Sequence, residues 1–164
     1  RPMSVTLTQS AWFLPFVVPI CLWVAWSDLR RMKIPNNAVY ALALTFVIVG
    51  VLALPLQDYL WRYAHLLIVL IIGIVLNAGG ILGAGAAKSA AAAAPFIARD
   101  DIGRMMMLLG LCMLAGYISH RIAKHTTLHR MVPQWDSWTA GKRFPLGYPM
   151  GLALMLYLAW PLLF

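Results

Sequence analysis

The chain alternates long apolar runs with short polar segments. These runs predict membrane-spanning helices at about residues 11–26, 38–54, 63–82, 86–98, 102–119 and 146–163. A helix that crosses a bilayer needs about 20 mostly apolar residues. The fourth run is short and rich in alanine, and small residues let neighbouring helices approach closely. The pattern therefore predicts an all-α membrane protein with six transmembrane helices.

The composition supports a membrane protein. Hydrophobic residues make up 62% of the 164 positions and charged residues only 11%, whereas roughly half of an average soluble domain is apolar. The six runs leave no room for a soluble domain, so we expect residues 1–164 to form a single polytopic membrane domain. Arg1-Pro2 precede Met3, which we expect to be the natural start, with the first two residues a cloning remnant.

The net charge of +8 is distributed unevenly between the predicted loops. In a soluble protein this charge would suggest nucleic acid, which we do not expect as a partner here. Cytoplasmic loops of membrane proteins are enriched in Lys and Arg. The N-terminus and the even-numbered loops carry four of the thirteen basic residues. The odd-numbered loops carry nine, which are Arg30, Arg31, Lys33, Lys88, Arg121, Lys124, Arg130, Lys142 and Arg143.

This distribution predicts that the odd-numbered loops are cytoplasmic and that both termini are extracytoplasmic. The basic loop at residues 120–143 is the longest polar stretch. We expect it to lie on an anionic leaflet, because basic segments next to a membrane are attracted to anionic lipids. Membrane lipids are therefore expected partners.

Acidic residues are few, which narrows the search for catalytic groups. The chain has no glutamate and five aspartates. Of these, only Asp28 adjoins the predicted cytoplasmic end of a span, where a buried carboxylate is costly and often functional. The alternative is a structural aspartate paired with Arg30 or Arg31. The other four are expected on the outer side or in the basic loop: Asp58, Asp100, Asp101 and Asp136.

Metal and redox chemistry have little support in the sequence. Cys21 and Cys112 lie inside apolar runs and form no CxxC pair, so we interpret them as small buried residues. His120, His125 and His129 could form a metal site, but a basic interfacial loop is the favoured interpretation. We expect no metal and no cofactor.

Three short motifs occur in order along the chain. Asp28 is followed after five residues by Ile34-Pro35-Asn36; then come Gly83-Ala84-Gly85-Ala86-Ala87-Lys88 and Pro145-Leu146-Gly147. Pro35 can end one helix or start another, and Asn36 beside it can cap. Together the motifs resemble the type IV prepilin peptidases, which are GxGD aspartyl membrane proteases. In that family an Asp closes the first motif, the second reads Gly-x-Gly-Asp with a nearby Lys, and Pro-x-Gly opens the last span.

The resemblance implies an endopeptidase with two aspartates, at Asp28 and at position 86. The ionised carboxylate would take a proton from water, and the neutral one would assist the scissile carbonyl. The substrate would be a prepilin, either a Flp-type pilin or a pseudopilin. Its basic leader would be cleaved after Gly at the cytoplasmic face of the bacterial inner membrane. The other expected substrate-site and motif residues are Gly83, Gly85, Lys88, Pro35, Asn36, Pro145 and Gly147.

The resemblance also implies a subtype. Larger family members carry a cytoplasmic region with paired CxxC motifs and N-methylate the cleaved pilin, and this sequence has no such N-methyltransferase region. It therefore looks like the short, peptidase-only type that accompanies Flp (Tad) pili. The two glycines of the second motif would let a substrate strand approach the catalytic carboxylate.

Ala86 departs from the family pattern at the position of the second aspartate. Alanine cannot move a proton, so the chain as written is expected to be catalytically inactive. Either an engineered Asp→Ala change or a natural pseudoprotease would explain this residue. The alternative function is a non-catalytic pilin-binding chaperone of a pilus assembly system. A small transporter is disfavoured, because clear inverted repeats and midplane polar residues are lacking.

Overall fold

The computed structural model describes residues 2–164, which form helices and no β-strand. The predicted all-α fold is therefore confirmed for this part of the chain. Short 3-10 turns lie at Ala94–Phe96, Arg99–Asp101 and Asp136–Trp138. The seven α-helices are α1 (Leu7–Arg31), α2 (Asn36–Ala53), α3 (Leu56–Ala78), α4 (Ala84–Ala93), α5 (Ile102–Lys124), α6 (Thr127–Met131) and α7 (Gly147–Leu163).

Four helical segments are long and apolar enough to cross a membrane: α1, α2, α3 and Arg99–Lys124, which contains α5. Helix α7 is apolar but has only 17 residues, and α4 has ten. Four of the predicted spans therefore have a counterpart of membrane-crossing length. Spans at residues 86–98 and 146–163, and the side on which the termini lie, stay predictions.

Several helix boundaries differ from those expected. Helix α3 ends at Ala78 rather than at residue 82, because Gly79 and Gly80 follow it and Gly80 adopts a left-handed φ of 74°. The basic loop at residues 120–143 contains regular secondary structure. It contains the last residues of α5, the short helix α6 and the 3-10 turn Asp136–Trp138.

Helix α1 packs along α7 and against α2, while α3 pairs with α4 and α5 lies against α7. Glycines allow two of these close contacts. A Cβ atom on Gly151 would lie 3.1 Å from the carbonyl oxygen of Cys21, and one on Gly116 would lie 3.2 Å from Cβ of Pro149. Small residues at helix interfaces are characteristic of membrane bundles. These contacts place the first residues of α7 beside the last turn of α1.

The bundle has an aromatic core and an apolar exterior. The rings of Phe13, Phe46 and Phe96 pack with centroids 5.0 to 6.3 Å apart, and Tyr59 stacks on Phe46 at 5.3 Å. Large apolar side chains on α3 and α5 are exposed, as expected where a protein faces lipid. They include Leu67, Ile71, Ile74, Met107, Leu111 and Leu114.

A buried polar network holds the end of the bundle opposite Asp28. The carboxylate of Asp101 is fully buried, and it accepts hydrogen bonds from the Ser4 backbone N–H and the Tyr157 hydroxyl, each at 2.8 Å. Asp28 instead contacts Gly147, ten residues before Tyr157 on α7. At 1.5 Å per residue, the two carboxylates are separated by about 15 Å along that helix. Asp101 therefore cannot join Asp28 in one site.

Candidate active site

Asp28 lies in the last turn of α1, buried and held by its surroundings. Its Oδ2 atom accepts a hydrogen bond from the backbone N–H of Gly147 at 2.6 Å. Helix α1 closes at Met32, whose left-handed backbone directs its N–H to the Asp28 carbonyl at 2.9 Å. The Ser27 hydroxyl donates to the carbonyl of Lys33 at 2.9 Å, which fixes the turn that follows. The carboxylate is therefore set in one orientation.

The carboxylate of Asp28 also serves the amino end of α7. Gly147 is the first residue of that helix, and the preceding Leu146 supplies no side-chain cap. The first N–H groups of a helix lack partners within it, and the helix dipole there favours a negative charge. Asp28 satisfies one of these N–H groups from a different helix. This hydrogen bond offsets part of the free-energy cost of burying the ionised carboxylate.

Asp28 does not form the ion pair that was the alternative to a catalytic role. Among residues 2–164, neither Arg30 nor Arg31 forms a salt bridge with it. The guanidinium of Arg30 lies instead over the ring of Trp26, 5.0 Å from its centroid. The interpretation of Asp28 as the partner of a neighbouring arginine is therefore wrong. Its partner is a backbone N–H that lies 119 residues further along the chain.

The contact with Asp28 explains why the motif Pro145-Leu146-Gly147 ends in glycine. A Cβ atom at position 147 would lie 2.9 Å from Asp28 Oδ2 and 3.0 Å from Cγ1 of Val24. Neither the carboxylate nor the packed valine could remain in place. Pro145 is fully buried at the start of the same segment. Gly147 therefore positions the Asp28 carboxylate, and it contacts that carboxylate without lining the space in front of it.

An open cavity of about 690 Å³ extends in front of Asp28. We call it the Asp28 cavity. Ala86, the third residue of α4, lines the same cavity and is 7% exposed. The two positions that match the family's catalytic aspartates thus share one space. Six of the nine predicted site residues line it: Asp28, Asn36, Gly83, Gly85, Ala86 and Lys88.

The Ile34-Pro35-Asn36 step is partly different from the prediction. Pro35 does begin α2, because its carbonyl accepts from the N–H groups of Ala38 and Val39 at 3.1 and 3.3 Å. Asn36 makes no capping hydrogen bond through its side chain, so the expected capping role is wrong. It is exposed and lines the Asp28 cavity instead.

The charges around the Asp28 cavity are unequal. Asp28 is its only acidic lining residue, whereas Lys33, Lys88, Lys142 and Arg143 all line it. None of these four cations forms a salt bridge within the described range. The cavity is therefore electropositive apart from a single carboxylate. Lys142 and Arg143 were not predicted as cavity residues, because nothing in the local sequence indicates that their segment lines the same cavity as α4.

Asn77 is a third residue whose role was missed. Its amide donates to the carbonyl of Leu82 at 2.8 Å and so closes the turn between α3 and α4. The Gly79-Gly80 pair after Asn77 was the available signal, because it predicts a turn that a polar side chain can close. Both Asn77 and Leu82 line the Asp28 cavity.

The described residues do not form a set of side chains that could bind a metal ion. Among residues 2–164, no three His, Cys, Asp or Glu side chains come close enough to hold a metal ion. His120, His125 and His129 therefore do not form the metal site that their spacing allowed. His120 and His129 both pack against Trp138, with ring centroids 4.8 and 5.2 Å away.

The two glycines of the second motif have different environments, which predicts different responses to substitution. A Cβ atom on Gly85 would lie 3.3 Å from Cβ of Ile34, while one on Gly83 would meet nothing within 4 Å. We expect Gly85→Leu to lower the free energy of unfolding by about 1–3 kcal/mol through overpacking. Gly83→Leu should change it by less than about 1 kcal/mol, because its side chain enters open space.

Thermal unfolding of the detergent-solubilised variants would measure the difference. Gly83→Leu is the matched control, since it adds the same side chain two residues away. Equal destabilisation by the two substitutions would contradict the proposed packing of Gly85 on Ile34. In that case the only structural role of both glycines would be to line the cavity.

Comparison with known proteins bears on this geometry. The model of the type IV leader peptidase family matches residues 16–120, nearly two thirds of the chain. The match includes Asp28 and the Gly83–Lys88 segment, and it ends before Gly147. No curated protein and no solved structure matches the chain.

Proposed function

Because the chain belongs to the type IV leader peptidase family, we propose that it is a membrane-bound leader peptidase whose cleavage step is blocked by alanine at position 86. One observation carries this proposal: Asp28 and Ala86 line the same cavity. The family's aspartic chemistry needs two carboxylates around one substrate bond. The chain retains one of them, a fixed geometry around it, and space at the other position.

The mechanism we propose uses Asp28 as one half of a carboxylate pair. The Gly147 N–H holds Oδ2 of Asp28, and Oδ1 has no hydrogen-bond partner among the described residues. With an aspartate at position 86, the two groups would share one proton, since two such carboxylates cannot both ionise. The ionised carboxylate takes a proton from water as the water attacks. The neutral one donates to the scissile carbonyl.

The substrate we propose is a prepilin of the Flp type or a pseudopilin, cleaved after the glycine that ends its basic leader. The four cations around the Asp28 cavity would repel such a leader. We therefore infer that the uncharged scissile segment enters the cavity, while the basic residues of the leader lie outside it. This arrangement limits cleavage to the junction between leader and apolar helix.

The membrane placement we propose follows from charge. Lys33, Lys88, Lys142 and Arg143 surround the Asp28 cavity, at the end of the bundle that carries most of the basic residues. The positive-inside rule assigns such an end to the cytoplasm. The protein would then span the bacterial inner membrane six times, with α4 and α7 as its short spans. Both termini would lie outside and the site at the cytoplasmic face.

Photo-cross-linking tests whether a prepilin enters the cavity. A benzoylphenylalanine at Leu82, which lines the Asp28 cavity, should form an adduct with a co-expressed Flp-type prepilin. The adduct should retain the full leader, because the chain as written does not cleave. The same probe at Leu60, which is exposed near the opposite end of α3, is the control. Adducts at Leu60 but not at Leu82 would contradict the proposal.

A second candidate function is a pilin-binding pseudoprotease. It is favoured by Ala86 itself, together with a cavity that remains open and lined by the other motif residues. Both functions predict the adduct at Leu82. They differ in what an aspartate at position 86 does, since a protein that only binds gains nothing from a second carboxylate.

A further inference from the structure

A second, smaller pocket lies next to the Asp28 cavity. It occupies about 270 Å³ between the last turns of α5 and the segment 137–144. We call it the His120 pocket. Its polar lining consists of Tyr117 and six further side chains, which are His120, Arg121, Lys124, Ser137, Lys142 and Arg143. The proposed peptidase mechanism does not use this space.

Two buried polar atoms in the His120 pocket lack hydrogen-bond partners. They are Nε2 of His120 and Oγ of Ser137, in residues that are only 9% and 5% exposed. They are the only such side-chain atoms within residues 2–164. Buried polar groups are nearly always hydrogen-bonded, so two orphans that line one pocket indicate a missing partner.

The ring of His120 is not free to turn elsewhere for a partner. It stacks on Trp138 with centroids 4.8 Å apart and planes at 17°, and the ring of Phe144 packs against it at 5.7 Å. Trp138 is held in turn by a hydrogen bond from its indole N–H to the carbonyl of Val132 at 2.9 Å. The unpaired nitrogen is therefore fixed within the pocket lining.

The charge of the His120 pocket is entirely positive. Its lining includes four cations and no acidic residue. None of the four forms a salt bridge in the part of the chain that the structure describes. Arg121 donates through its Nε to the Tyr117 hydroxyl at 3.2 Å, and its guanidinium lies over the Tyr117 ring, 5.2 Å from the centroid. Its terminal nitrogens remain available to a ligand.

We propose that the His120 pocket binds a phosphate-bearing anion. The oxygens of a phosphate accept charge-assisted hydrogen bonds from Arg and Lys. They would also accept from the Ser137 hydroxyl and from a protonated Nε2 of His120, so both orphaned atoms gain partners. The volume suits a group of this size, since pockets for larger organic ligands begin at roughly 300 Å³.

Two sources could supply this group, a phospholipid headgroup or free phosphate. Ile118 and Ile122 are exposed on α5 beside the pocket residues of the same helix, and acyl chains could lie along them. Lys142 and Arg143 line both the His120 pocket and the Asp28 cavity. A bound anion would therefore also hold the segment that leads into Gly147 and neutralise part of the charge around Asp28.

Native mass spectrometry of the detergent-solubilised protein tests the proposal. The protein is incubated with phosphatidylglycerol, with phosphatidylcholine, or with phosphatidylglycerol plus excess inorganic phosphate. We expect one phosphatidylglycerol per chain to survive activation energies that remove phosphatidylcholine. The double variant Arg121→Gln/Lys124→Gln should retain about tenfold less, since each cation near an anionic surface contributes several-fold in affinity.

Matched variants separate this pocket from general lipid attraction. Arg130→Gln removes an exposed cation of the same loop that does not line the pocket, and it should retain lipid like the parent protein. Arg121→Lys/Lys124→Arg keeps the charge and should also bind, which distinguishes lost binding from misfolding.

Each outcome decides the proposal. Selective loss in the Gln double variant supports it, with the lipid as source. If inorganic phosphate displaces the lipid and itself raises the unfolding temperature of the parent but not of the double variant, the proposal holds with free phosphate as the source. Equal retention of phosphatidylglycerol by the Gln double variant and Arg130→Gln, without any effect of phosphate, would overturn it.

Discussion

An aspartate at position 86 should give the chain, which we expect to be inactive as written, the activity of a leader peptidase. We expect Ala86→Asp to raise cleavage of a Flp-type prepilin in membranes by about 10²–10⁴-fold, because a positioned general acid or base contributes that much. Position 86 is the third residue of α4, where the helix dipole stabilises an anion by about 0.3–1 kcal/mol. Immunoblotting would measure the loss of the leader, and sequencing of the new N-terminus would locate the cut.

The control for this gain removes the charge of Asp28 but keeps its shape. Asp28→Asn in the Ala86→Asp protein retains an oxygen that can accept from the Gly147 N–H, so the amino end of α7 keeps its partner. We expect cleavage to return to the background level while the unfolding temperature changes little. Asp28→Ala is less informative, because it removes the catalytic group and the partner of α7 together.

Two outcomes would contradict the two-aspartate mechanism. Cleavage by the Ala86→Asp protein that survives Asp28→Asn would show that Asp28 is not a member of the pair. A folded Ala86→Asp protein that forms the Leu82 adduct but cleaves no Flp-type prepilin would favour the pilin-binding pseudoprotease. The two results are distinguishable, because only the second leaves substrate binding without chemistry.

The apolar pattern predicted the helices better than their ends. Hydrophobic runs identify α1, α2, α3 and α5, because each helix must supply a lipid-facing side of its own. Helix α4 gives a weaker apolar signal, since it is short and its alanines pack inside the bundle against α3. The end of α3 depended on the left-handed Gly80, and no count of apolar residues reveals that conformation.

The candidate site was predictable as a set of motifs but not as a geometry. The order of the motifs predicted that four residues belong to one site, and in the structure all four line one cavity: Asp28, Gly83, Gly85 and Ala86. The role of Gly147 was not predictable, because it depends on a contact between residues 119 positions apart. The separate roles of Gly83 and Gly85 depend in the same way on the nearby Ile34.

Gly147→Ala is expected to have the second largest effect, through the position of Asp28. In the Ala86→Asp protein, this substitution should reduce cleavage by about 10²-fold, because a displacement of about 1 Å in a catalytic group can cost that much. The new Cβ would lie 2.9 Å from Asp28 Oδ2 and 3.0 Å from Cγ1 of Val24. Both are closer than atoms in contact can remain, so the carboxylate or α7 must move.

The loss should appear in the rate of cleavage more than in the binding of prepilin, because the methyl group lies behind the carboxylate rather than in the cavity. Cleavage kinetics together with the yield of the Leu82 adduct would separate the two. Gly110→Ala on α5 is the matched control: it adds the same methyl group where nothing lies within 4 Å. The cleavage rate of this variant should be unchanged, because the added methyl group contacts nothing. Replacing an exposed glycine by alanine within a helix also does not destabilise the helix. Full activity of Gly147→Ala would mean that Asp28 does not depend on its contact with α7, and the carboxylate would then owe its position to α1 alone.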